Sequence, residues 1–235
     1  MELEPIFVAA FLIVIAAVAL YKYHYSKKAI VRRKLKKAAG LKISNFVSGN
    51  IAKVVGKVEY AGKPLVAPLS GRPCAYYYVL VEQQVSSGKS SHWETLIEEE
   101  VAGAFVIRDG RHCAHVNSSN VKSYLVEDRE YSSGFLNDAT GELQRYLNNH
   151  GHDSENFLGI NRTIRYQEGV LEEGELMAVM GRGEWKNAGQ VQLPESYGRV
   201  LDISSTEEEP VYLSDDPDTV SITYAPEDLG GYRRS

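Results

Sequence analysis

The stretch Cys74-Ala75-Tyr76-Tyr77-Tyr78-Val79-Leu80-Val81 carries apolar or aromatic side chains at both parities of an extended run. Alternate residues of a strand face opposite sides, so CAYYYVLV predicts a strand covered on both faces. Around it the chain breaks into short strand-like runs separated by Gly, Pro, Asn and Ser. Residues 54–60 read as a first strand, and 62–73 as a loop punctuated by Pro64, Pro68 and Pro73. Residues 86–91 form a polar hairpin tip, followed by a more exposed strand over 93–99. Residues 105–107 and 113–116 flank Asp109-Gly110, a strong hairpin signal, and 121–126 is a further strand. One helix interrupts the series: Leu143, Tyr146 and Leu147 share a face, with Asp138 or Thr140 as N-cap and Gly151 as stop. Residues 163–168, 175–180 and 199–203 supply the last strands. The expected fold is mainly β (α+β): a compact β-barrel-like domain with one inserted helix, preceded by a single transmembrane helix.

That transmembrane helix is predicted from residues 6–21, IFVAAFLIVIAAVALY, which hold no charged side chain. Sixteen residues at a helical rise span about 24 Å, slightly short of a hydrocarbon core of about 30 Å. Ile6, Phe7, Phe11, Leu12, Leu20 and Tyr21 would face lipid, while Lys22 would snorkel to the interface. A cleaved signal peptide is the competing reading, but Glu2 and Glu4 stand where a signal needs positive charge. The cations come after the apolar run instead, from Lys22 to Lys37. The positive-inside rule then predicts a single-pass membrane protein with its N-terminus outside and its globular domain cytoplasmic.

The formal charge of −5 hides a strong segregation. Residues 1–42 hold nine Lys/Arg against Glu2 and Glu4, whereas the rest is acidic, with 17 basic and 29 acidic residues. An acidic body repels phosphate, so no nucleic acid partner is expected. The basic cluster beside the apolar run reads as a helix that touches anionic lipid headgroups or merely sets topology. Expected boundaries are an anchor over 1–25, a basic juxtamembrane segment over 26–50, a β domain over 51–205 and an acidic, flexible tail over 206–235.

Pro68-Leu69-Ser70-Gly71-Arg72-Pro73-Cys74-Ala75-Tyr76-Tyr77 resembles the loop-to-strand signature of the GIDE or BAM ("beside a membrane") domain. That domain occurs in mitochondria-anchored RING ubiquitin ligases and in prokaryotic membrane proteins. Two further blocks fit in order: Phe105-Val106-Ile107-Arg108-Asp109-Gly110, and Arg165-Tyr166-Gln167-Glu168 with Leu171, Gly174 and Gly181. The resemblance covers residues 54–205 and implies an adjacent membrane helix and a binding role at the membrane surface. It does not extend to a RING, which needs eight Cys/His ligands for two zinc ions. This chain has no cysteine after Cys113 and no histidine after His152.

Chemistry-bearing clusters are sparse. His112-Cys113-Ala114-His115 puts only Cys113 and His115 on one strand face, too few for zinc. Cys74 and Cys113 read as two free thiols that pack rather than react. Ser70-Gly71 lacks the elbow of a serine hydrolase, and Gly181-Arg182-Gly183 lacks the downstream glycine and helix of a phosphate loop. Tyr76, Tyr77 and Tyr78 could stack bases on an OB-like sheet, but their parity places them in the core. No catalytic residue, metal or cofactor is expected. The chain reads as a non-enzymatic interaction or sensor module that binds an unknown protein or small-molecule partner at the bilayer. Its expected contact surface is the stiff loop with Pro68, Ser70, Gly71 and Arg72, beside the strand of Trp93. The alternatives are a ubiquitin-pathway transferase, by family association alone, and an envelope scaffold.

Overall fold

The computed structural model describes residues 26–87, 90–126, 129–133, 141–152 and 163–221. The anchor over 1–25, the helix N-cap at Asp138 or Thr140 and the last residues of the chain lie outside them. Among the described residues no helix is long and apolar enough to cross a membrane. In chain order the elements are α1 (Lys27–Lys37), β1 (Gly40–Leu41), β2 (Ile51–Tyr60), β3 (Leu65–Val66), β4 (Pro73–Cys74), β5 (Tyr76–Ser87) and β6 (Ser90–Ala102). They continue with β7 (Phe105–Asp109), β8 (His112–Val116), β9 (Val121–Tyr124), β10 (Arg129–Ser133), α2 (Gly141–Asn149) and β11 (Ile164–Leu171). The chain then forms β12 (Leu176–Asn187), β13 (Arg199–Ser204), β14 (Val211–Ser214) and a single-turn α3 (Pro217–Val220).

The architecture turns on β2. Ile51 to Lys57 pair antiparallel with β12, and Lys57 to Tyr60 pair antiparallel with β7. From β7 the hydrogen bonds pass to β8, then to β13 in parallel, and back to β12, so five strands close a barrel. Counted along the chain these strands lie in the order 1-2-3-5-4-1, the Greek-key closure of an OB-type barrel. Its interior is filled by alternate residues, among them Val54, Val58, Phe105, Ile107, Ala114, Met177, Val179, Leu201 and Ile203. The β7–β8 hairpin turns on Gly110 and Arg111, one residue later than the Asp-Gly signal suggests. Gly110 takes φ +60, which a two-residue turn of this hand demands.

Between β2 and β7 the chain leaves the barrel to build a second layer. β5 and β6 join β11 and β10 in a four-stranded antiparallel sheet, order β10-β11-β5-β6. One face of β5 sends Tyr76 and Tyr78 onto the barrel core, and the other sends Val79 and Val81 against α2. This is why CAYYYVLV is apolar on both parities. On α2, Leu143, Tyr146 and Leu147 form the buried stripe, and Gly151 follows the helix at φ +76.

Two expected boundaries move. The tail predicted from 206 onward contains β14, whose four residues are all buried; it pairs with β12 on one side and β9 on the other. The acids at 207–209 had the composition of a solvated tail, but the next apolar residues complete the sheet. The basic segment over 26–50 is likewise part of the fold. Val31 and Leu35 of α1 are fully buried against Val55, Ala178 and Tyr212. Its cations meet the acidic body: Lys27 pairs with Glu100, Arg32 with Asp216 and Asp218, Lys34 with Glu209, and Lys36 with Asp218. Lys53, itself buried, donates to the carbonyls of Thr219 and Ser221; burial pushes its pKa down.

Candidate functional site

The barrel presents its outer face of β7, β8 and β13 to the segment 188–198, which folds over it. A capping box opens that segment: the Asn187 amide donates to Gln190 Oε1, and Gln190 in turn lies in a 3-10 turn. Ala188, Leu193 and partly Val191 and Tyr197 then cover Val106, Cys113 and Val200. At the margin of this cover lies a recess of about 470 Å³. Gly103 and Ala104, at the end of the insert, form one wall; Gln190, Gln192 and Leu193 form another. His115, Asn117, Ser118, Lys186 and Asp202 provide its polar surface.

Strand register assembles the charged group. His115 of β8 lies directly beside Asp202 of β13 in the parallel pair, and Lys186 of β12 pairs with Val200, two residues from Asp202. Alternation puts Leu201 and Ile203 inside the barrel and Asp202 outside, under the covering segment. Asp202 is only 3% exposed. His115 Nδ1 donates to its Oδ1 at 2.8 Å, and Lys186 Nζ donates to its Oδ2 at 2.6 Å. Burial works to raise the carboxyl pKa, but the two donated bonds outweigh it and hold the group below the usual carboxylate range. The same contact raises Lys186. With Nδ1 committed to Asp202, Nε2 is the ring nitrogen left for a ligand, and the tautomer and ring orientation are set in advance.

Gln192 borders the same recess at φ 60, ψ 26, the one non-glycine with positive φ among the described residues. A glutamine held in the left-handed region carries strain, and such positions gather at binding sites. Among the described residues no three His, Cys, Asp or Glu side chains converge as a metal site. The recess is therefore equipped for hydrogen bonding and charge, with a preset imidazole and a fixed ammonium.

The residues singled out from sequence fall elsewhere. Gly71 at φ +71 closes a tight turn in which its amide donates to the Ala67 carbonyl and the Ala67 amide to that of Arg72. Arg72 pairs with Glu172 and also donates to Ser70 Oγ. The Leu69 amide, next to Pro68, donates to Glu168 Oε1 at 2.8 Å, so the late block of the resemblance pins the early one. Trp93 lies under Arg165, 4.3 Å from guanidinium to ring, and Arg165 also pairs with Glu82. Trp93 faces Gln84, eight residues along β5 from Tyr76, a distance of roughly 25 Å. Arg72 and Trp93 thus sit toward opposite ends of the hairpin and do not form one surface.

Glu168 is 3% exposed and holds the Pro68–Pro73 turn. Glu168→Ala should cost about 2 kcal/mol and speed hydrogen exchange at the Leu69 amide. Glu168→Gln keeps an acceptor and should lose much less. Equal protection of Leu69 in wild type and Glu168→Ala would contradict the pinning.

Both thiols are free and buried, in separate clusters. Burial pushes the Cys74 thiol up to about 11 and also raises that of Cys113. At pH 8 the native chain should resist a thiol-specific reagent over the time in which denatured chain reacts fully. Rapid labelling of the native chain would show that one of the thiols is open. No family model, curated protein or solved structure was found to match this chain.

Proposed function

We propose that this chain is a membrane-tethered, non-enzymatic sensor or interaction module of the GIDE/BAM type that binds a small polar molecule in the recess around His115, Asp202 and Lys186. The observation that carries the reading is the buried carboxylate that fixes a histidine and a lysine at the mouth of a cavity. A group this costly to bury is used where orientation matters. A volume of about 470 Å³ suits a metabolite-sized ligand. By analogy of fold, OB barrels bind ligands on the face of strands 2 and 3 between loops 1–2 and 4–5. The recess lies between the ends of the corresponding segments here. The acidic body favours a small ligand over a nucleic acid strand. The tether is supported by the apolar run 6–21 and by α1, which begins just after it and is packed on the barrel.

The test is a thermal-shift screen of the full chain with a library of small polar metabolites. A ligand at about a hundred times its Kd adds about 2.7 kcal/mol, or roughly 5–10 °C in Tm. Such hits should vanish in His115→Phe, which fills the recess, and weaken in Lys186→Met, with both variants still folded. Hits that shift both variants as they shift wild type would place binding elsewhere and refute the reading, as would a library without hits.

A further inference from the structure

Helix α1 divides its surface among three tasks. Val31 and Leu35 pack on the barrel, and Lys27, Arg32 and Lys36 pair with the carboxylates of the body. Ile30, Arg33, Lys34 and Lys37 stand at i, i+3, i+4 and i+7, a third stripe. This stripe, with Ala38 and Met180 of β12, lines a second recess of about 320 Å³. Its floor is apolar, from Ile30, Ala38 and Met180, and three cationic side chains rim it. Lys34 shares its charge with Glu209, while Arg33 and Lys37 add two more positive heads one helical turn apart.

An apolar floor under a cationic rim fits a ligand that carries an acyl segment joined to a phosphate. We infer that this recess holds one anionic phospholipid of the bilayer, its phosphate between Arg33 and Lys37 and its glycerol and first methylenes over Ile30 and Met180. The inference rests on the membrane tether proposed above and is independent of the recess at His115. Position favours a bilayer source. The stripe begins at Ile30, nine residues after the apolar run 6–21 ends, so the proposed tether keeps it close to the bilayer surface.

The full chain is reconstituted in phosphatidylcholine nanodiscs, with or without a minor fraction of phosphatidylglycerol. Photoactivatable analogues of each lipid are then cross-linked, and the labelled peptides are mapped. The phosphatidylglycerol analogue should label the peptides bearing Ile30–Lys37 and Met180 at least about fivefold more than the phosphatidylcholine analogue, about fivefold being what one cation near the surface contributes. The double variant Arg33→Glu, Lys37→Glu should bring labelling down to the phosphatidylcholine level. Met180→Trp should reduce it by filling the floor with the charges intact. Excess soluble glycerol phosphate should leave labelling unchanged. Equal labelling by the two lipids, labelling that survives the charge reversals, or its displacement by glycerol phosphate would each overturn the assignment. A chain that fails to enter nanodiscs would overturn both this site and the tether, whereas one that enters without headgroup preference would overturn the site alone.

Discussion

Gly56→Ala should destabilise the fold by about 3 kcal/mol, more than its single methyl suggests. Gly56 lies where β2 passes from its pairing with β12 to its pairing with β7. A Cβ built there meets the carbonyl oxygen of Arg108 at 2.8 Å and its nitrogen at 2.9 Å. These are backbone atoms of β7, held by the barrel ladder, so neither side can yield cheaply. Strand interiors tolerate glycine poorly unless another backbone must come close, and that is the case here. For a domain of this size the loss corresponds to a fall of roughly 6–12 °C in Tm. Gly62→Ala is the control, because its Cβ would meet only the Ala104 methyl at 3.9 Å. Similar melting of wild type and Gly56→Ala would mean that the β7 backbone does not approach Gly56 this closely.

The second large effect is at Asp202. Asp202→Ala removes a buried carboxylate that accepts from both His115 and Lys186, leaving two donors facing a void. The expected cost is about 3 kcal/mol. Stability also depends on pH through this group. Its folded pKa is depressed by the two donated bonds against the opposing effect of burial. A depressed carboxyl contributes stability that is fully present above its unfolded pKa, about 3.9, and is lost as pH falls through the lower folded value. Lys186 behaves in the opposite sense: its raised pKa contributes stability below the unfolded value of about 10.4 that is lost as pH rises through the folded one. Chemical denaturation across the acid range should therefore show a steeper loss for wild type than for Asp202→Asn. Parallel acid limbs would mean that Asp202 is not the group responsible.

Much of the layer structure was legible because it is written in local periodicity. The two-faced pattern of CAYYYVLV required cover on both sides, which α2 and the barrel supply. Leu143, Tyr146 and Leu147 declared the helix and its buried stripe. What failed was whatever depended on a partner far away in the chain. The basic stretch gave no local sign that Arg32, Lys34 and Lys36 would pair with the body, since Glu209, Asp216 and Asp218 lie more than 170 residues on. Val211 to Ser214 is too short a run to stand out behind three glutamates, and only its two neighbouring strands make it a core element. The candidate site was hidden for a similar reason. An aspartate between Leu201 and Ile203 has the parity of a solvent-facing residue, and nothing local announces that the segment 188–198 will cover it. His115 drew notice only as half of an insufficient metal pair with Cys113. Its actual neighbour, Asp202, comes from strand register.

The docking of α1 on β14 and α3 also sets a timetable for biogenesis. Arg32 leaves the ribosome 186 residues before its partner Asp218. At roughly 5–20 residues per second that interval lasts on the order of 10–40 s. Throughout it the helix has neither the buried neighbour Tyr212 nor the carboxylates of Glu209, Asp216 and Asp218. Among its ion-pair partners Glu100 emerges early, to meet Lys27, while the pairs of Arg32, Lys34 and Lys36 wait for Glu209, Asp216 and Asp218. The nascent chain therefore carries an excess of positive charge near its start that falls only when Glu209, Asp216 and Asp218 emerge and α1 docks beside them.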